Sequence, residues 1–163
     1  MYGEPMAARH PRRFAPCSPF ITFRISVAHP ASDGAPRGED RVAMSFAKIL
    51  SRTLADVPGT LGWAFLADDG EIIVQDAQRG VESVPLLAAY HSITVGNYRR
   101  LGSLAAELGD IRSIVCGYEA GTCLLKLLKE NYFIILVLAP DANLGFAMQF
   151  LDALTPRLNS EIG

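Results

Sequence analysis

Residues 83–108 read SVPLLAAYHSITVGNYRRLGSLAAEL, and the spacing of their apolar positions organises everything on either side. Ser83 can cap a helix with Pro85 in its first turn, and Gly109 follows as a stop signal. Leu86, Tyr90, Ile93, Asn97, Leu101, Leu104 and Leu108 recur every three or four residues, so this stripe is expected to lie on a sheet. A second face, offset by roughly a third of a turn at 100° per residue, carries Leu87, His91, Thr94, Val95, Tyr98, Gly102 and Ala105. A helix on one sheet needs a single apolar stripe. The additional face, made partly of small residues, is therefore expected to receive a second helix.

The flanking segments supply the sheet. Ser45 can cap a first helix with Phe46, Ile49, Leu50, Leu54 and Val57 in phase, ended by Pro58 and Gly59. Residues 61–67 read as a strand holding the only Trp, Trp63, and Asp68-Asp69-Gly70 supplies the turn into a second strand at 71–76. Residues 111–118, 122–128 and 132–139 follow as a three-stranded meander. Because residues 133–138 are apolar at every position, both faces of that strand should be covered, and at ~2 kcal/mol per buried large side chain it is the expected centre of the sheet. Asp141 to Asn143 then open a last helix with Leu144, Ala147, Met148, Leu151, Leu154 and Leu158 in phase, and Pro156 is expected to kink it. The class is α/β of the α+β kind, in the order helix, two strands, long helix, three strands, helix.

Composition narrows the function classes. The 15 Lys and Arg nearly cancel the 17 Asp and Glu, leaving no field to attract nucleic acid or an anionic membrane from a distance. The longest apolar run, residues 132–140, is too short to span a bilayer as a helix, so no membrane insertion is expected. Residues 1–43 hold six of the ten prolines and six arginines against four acids. Pro16, Pro19 and Arg24 interrupt the one stretch that could serve as a secretion signal, residues 14–27. This segment is expected to be a disordered or non-native extension, with the domain at 44–163 and a cytoplasmic location. Cys17, Cys116 and Cys123 match no zinc or redox spacing and are expected to be reduced thiols.

No catalytic constellation emerges. His91 has no second ligand at i+3 or i+4, and His10 and His29 lie in the N-terminal extension. Ser83, Ser92 and Ser103 lack a nucleophile-elbow context or a local base, and Asp68-Asp69 is accounted for by its turn. Gly96 and Gly102 lie inside the long helix, where glycine permits close helix approach rather than forming a phosphate loop. The expectation is a non-enzyme with no metal and no cofactor.

Three stretches carry a resemblance: GWAFLADDG at 62–70, ITVGN at 93–97, and NYFIILVL at 131–138 followed by NLG at 143–145. With the order of elements, they resemble the Roadblock family of dynein light chains, bacterial and archaeal MglB proteins and subunits of lysosomal scaffold complexes. The resemblance spans residues 44–163. It implies a five-stranded antiparallel sheet with the long helix on one face and the N- and C-terminal helices on the other. It also implies a homodimer, or a pair with another Roadblock protein, in which third strands join edge to edge and long helices lie side by side. Ile114 and Cys116 on that strand would then join Leu87, His91, Thr94, Val95, Tyr98, Gly102 and Ala105 at the dimer or partner interface.

By the same resemblance, the paired helices form a platform for a Ras-like small GTPase, bound or regulated without donated chemistry. Arg99 and Arg100 would sit at the platform's rim, where charge influences association rate and specificity. An alternative is a profilin-like or sensor-like domain holding a small molecule between helix and sheet.

Overall fold

A computed structural model describes residues 26–27, 38–54, 56–78, 81–104 and 106–162. Its strands are β1 (Ser26–Val27), β2 (Thr60–Leu66), β3 (Ile72–Ala77), β4 (Ser113–Tyr118), β5 (Gly121–Leu127) and β6 (Phe133–Leu138). They form one antiparallel sheet in the order β1-β3-β2-β6-β5-β4. The five expected strands are all present, and β6 lies between β2 and β5 with every residue buried, as its unbroken apolar run requires. The sixth strand, β1, sets Ser26 opposite Gln75 and Val27 opposite Val74.

Among the described residues three helices flank the sheet: α1 (Gly38–Leu54), α2 (Val84–Leu104) and α3 (Leu144–Glu161). Because α1 starts ahead of Ser45, that residue is no cap; its hydroxyl donates to the Glu161 carboxylate of α3 at 2.8 Å. Both β1 and the start of α1 fall within the 1–43 stretch expected to lie outside the domain. The long helix ends at Leu104 rather than Leu108, and a short 3-10 turn, Ala106–Leu108, follows. At the start of α3 the Asn143 side chain accepts the Phe146 N–H at 2.9 Å, satisfying a donor the helix itself cannot. The helix continues through Pro156 to Glu161.

Local chemistry sets the connections. The Asp69 carboxylate accepts the Glu71 N–H at 2.9 Å, and Gly70 takes a φ of 93° that closes the β2–β3 turn. Between β5 and β6, Glu130 (φ 53°) and Asn131 (φ 65°) both lie in the left-handed region, the backbone of a tight hairpin turn. Gly62 allows α2 to sit directly on β2, since a Cβ there would lie 2.7 Å from Val84 Cγ2.

Each face of the sheet carries its own core. On one, Phe46, Leu50 and Leu54 of α1 and Leu151 and Leu158 of α3 pack on Trp63, Phe65, Ile134 and Leu136. On the other, Val84, Ala88 and Val95 of α2 pack on Ala64, Leu66, Leu125, Phe133 and Ile135. The expected layering is therefore observed, but α2 is turned over. The stripe from Leu86 to Leu108 expected to meet the sheet points away from it, and Ala88, His91, Ser92 and Val95 are the residues buried beneath the helix. Strand residues already fill that face with leucine, phenylalanine and isoleucine. At native packing density the helix can add little beyond small side chains.

Candidate docking surface

The outward face of α2 is apolar along its length. Leu86, Tyr90, Ile93, Leu101 and Leu104, with Leu108 in the following turn, each expose between 53% and 82% of their surface. Their mean direction lies roughly opposite the buried positions at 100° per residue. Large apolar side chains scattered singly on a surface are ordinary, whereas a contiguous row on one helix marks an interaction site. Asn97 is the stripe's single polar member and is exposed.

The residues named from sequence for the interface divide between inside and outside. Val95 and His91 are buried against the sheet, and Leu87 packs half-buried beside them. Gly102 backs onto Ile111, 3.6 Å from the nearest side-chain atom a Cβ would meet. Ile114 belongs to the α2-side core and Cys116 packs half-buried against it. Thr94 is half-buried and Tyr98 is exposed on the flank of the apolar row. Ala105 lies outside the described residues. Leu86, Tyr90, Ile93, Asn97, Leu101 and Leu104, assigned from sequence to the core, hold the exposed position instead.

His91 Nε2 is 3.0 Å from the Tyr118 hydroxyl, tying α2 to the end of β4, with the rings edge to face. Its Nδ1 is buried with no hydrogen-bond partner among the described residues. Burial pushes the imidazole below its ordinary pKa, because an imidazolium there would hold a second N–H away from water. Cys116 and Cys123 face one another across β4 and β5. Burial, with Cys116 adding to it, raises the Cys123 thiol to about 11, so it stays protonated and unreactive at neutral pH.

The two arginines expected at the rim part company. Arg99 turns inward: Nη1 donates to the Asp68 carboxylate at 3.2 Å and to the Asn131 carbonyl and side-chain oxygens at 3.3 and 3.1 Å, and Nη2 to the Tyr132 carbonyl at 3.4 Å. It thereby fastens α2 to both the β2–β3 and β5–β6 turns. Arg100 is exposed.

At the sheet's edge, β4 has a strand neighbour on one side only among the described residues, and Val115 and Tyr118 on it are exposed. Such an edge offers unpaired backbone groups to another strand. The α2–sheet junction, where a small molecule would have to sit, is filled by the packed side chains already described. An open groove of about 560 Å³ lies at the end of the sheet instead. Two of the cations lining it, Arg99 and Lys126, are engaged by Asp68 and Asp152.

No protein-family model matches the chain, and no curated protein matches it. Solved structures do. One of MglB in a tetrameric arrangement superimposes with a TM-score of 0.63 at 15% identity, covering 82% of this chain and 96% of that one. The chain has the Roadblock fold. The gliding protein MglB of Thermus thermophilus matches it with a TM-score of 0.62 at 16% identity over 83% of this chain and 93% of that one. MglC of Myxococcus xanthus matches with a TM-score of 0.54 at 20% identity over 72% and 99%. Within this Roadblock fold, the exposed row on α2 and the open β4 edge have no covering element among the described residues.

Proposed function

We propose that the chain is a Roadblock-type docking module without chemistry of its own. The outer face of α2 and the edge of β4 join it to another Roadblock-type subunit. The joint surface receives a Ras-like small GTPase, or scaffolds related proteins. The domain is taken to run from Gly38 to Ile162, with β1 added at the far edge. The observation carrying this reading is the row Leu86, Tyr90, Ile93, Leu101 and Leu104, exposed on a helix whose other side already has its core. Burial of such a row against a second protein is a strong hydrophobic driving force. Tyr98 and Arg100 flank it and are of the residue types that concentrate binding energy at interfaces. The solved Roadblock-fold structures add that this fold occurs in MglB and MglC proteins.

Sedimentation velocity on the full chain tests the pairing. A species of twice the monomer mass that grows with concentration is expected, and a monomer throughout the micromolar range overturns it. A Ras-like GTPase encoded beside this gene, loaded with a non-hydrolysable GTP analogue, should bind the pair. GTP turnover with and without the chain then separates activation from scaffolding.

A further inference from the structure

The face of the sheet turned away from α2 carries a cleft of its own. Lys48, Ile49 and Arg52 follow Ser45 by three, four and seven positions, so the four share one side of α1. Arg157 and Glu161 stand one turn apart on α3. Together these six residues line a cleft of about 420 Å³. The Ser45 hydroxyl, donating to the Glu161 carboxylate at 2.8 Å, joins its two walls. Three exposed cations thus share the cleft with a single carboxylate. Elsewhere Arg99 and Lys126 each meet an acid, whereas Lys48, Arg52 and Arg157 pair with none among the described residues. Like charges one helical turn apart, as Lys48 and Arg52 are, oppose the helix that carries them. The packing of α1 does not call for them, since Phe46, Leu50 and Leu54 make its core contacts.

We infer that this cleft binds the dianionic phosphate group of a small soluble ester, a role separate from docking on α2. Its three cations less one carboxylate leave a net +2. A phosphate monoester, which carries about −1.5 to −2 at pH 7, is its electrostatic complement. Each guanidinium presents paired N–H donors that match phosphate oxygens, and the lysine adds a point charge. The volume is that of a small-molecule site. Ile49, the one apolar residue of the lining, is buried. The cleft therefore offers no exposed apolar side chain to enter a bilayer and no hydrophobic anchor for a protein partner. A free ester fits it better than the same phosphate carried on a lipid or a protein.

The probe is glycerol phosphate, titrated into the 15N-labelled full chain at constant ionic strength. Amide signals of residues 45–52 and 157–161 should shift together at millimolar concentrations or below, while those of α2 stay in place. Arg52→Gln and Arg157→Gln should each weaken binding by about tenfold. Glu161→Gln keeps an acceptor for Ser45 and removes the opposing charge, so it should tighten binding, a gain that misfolding cannot imitate. Binding should also fade below pH ~6, as the ester takes up a proton. No response, shifts confined to other elements, or all three variants titrating like the native chain overturn the proposal. Capture by phosphatidylcholine vesicles containing phosphatidic acid, without a response to free glycerol phosphate, overturns the soluble ligand in favour of a lipid headgroup.

Discussion

Replacing Leu101 separates the outer face of α2 from the fold beneath it. Leu101 exposes 53% of its surface in the isolated subunit. Full burial of a leucine contributes about 1.5–3 kcal/mol, so covering that half contributes about 1 kcal/mol per copy. A two-fold interface counts it twice, and Leu101→Ala should therefore weaken the pair by about 2 kcal/mol, or ~30-fold in Kd. Leu101→Glu adds a carboxylate to be desolvated on each subunit, and the combined loss should exceed ~4 kcal/mol, roughly a thousandfold. Neither change should alter the stability of the single subunit by more than about 0.5 kcal/mol, because the site is on its surface. Sedimentation equilibrium gives the Kd, and urea unfolding below that Kd gives the subunit stability. An unaltered Kd for Leu101→Glu, or a subunit destabilised by more than ~1 kcal/mol for Leu101→Ala, refutes the assignment of this face to an interface.

Other substitutions probe the frame that holds the face in place. Arg99→Ala removes the hydrogen bonds that fasten α2 to two turns and should lower urea stability by ~1 kcal/mol. Arg100→Glu should leave stability unchanged and slow GTPase association in stopped-flow mixing. Lys126 is a buried lysine whose partner, Asp152, is largely exposed; Asp152→Ala strands that charge and should cost ~2–3 kcal/mol, whereas Lys126→Met should be close to neutral, both by urea titration. His91 has a folded pKa depressed below 6.5 by burial. Its contribution to stability is therefore complete above the unfolded value and is lost as the pH falls through the folded one. Urea stability followed downward from pH 7.5 should decline accordingly, and His91→Phe should flatten the decline. Val115→Lys, on the exposed side of the β4 edge, should weaken self-association in sedimentation with the subunit intact. Ile114→Lys should unfold it, since Ile114 lies in the core.

The order of the three helices and the five longer strands was legible because each carries its own apolar pattern, periodic or unbroken. The uninterrupted apolar residues of β6 placed it inside the sheet, and Asp68-Asp69-Gly70 marked a turn that does form. The orientation of α2 was not legible, and the reason is physical. Periodicity shows that a helix has two faces, and the larger hydrophobic residues suggest which one is inward. Which face the sheet accepts depends instead on the volume the strands already occupy, and here Leu66, Leu125, Phe133 and Ile135 leave room for Ala88, Ser92 and Val95. The hint lay in the small residues themselves, which permit close approach and which the apolar count passed over. Arg99 looked like half of a surface pair because its partners, Asp68 and Asn131, are more than thirty positions away in opposite directions along the chain. The early start of α1 was masked by Ser45, a good cap by residue type that the structure uses within the helix to reach α3. The two residues of β1 carry no period at all, and only their pairing with β3 defines them.

Hydroxyl-radical footprinting of the full chain, carried out well below and well above its association constant, reports on the outer side of α2 residue by residue. Leu86, Tyr90, Ile93, Leu101 and Leu104 should be oxidised in dilute solution and protected together as concentration rises, with Phe146 on α3 equally labelled in both. If the row stays as reactive at high concentration as at low, no second chain covers it and the docking role assigned to this face is wrong.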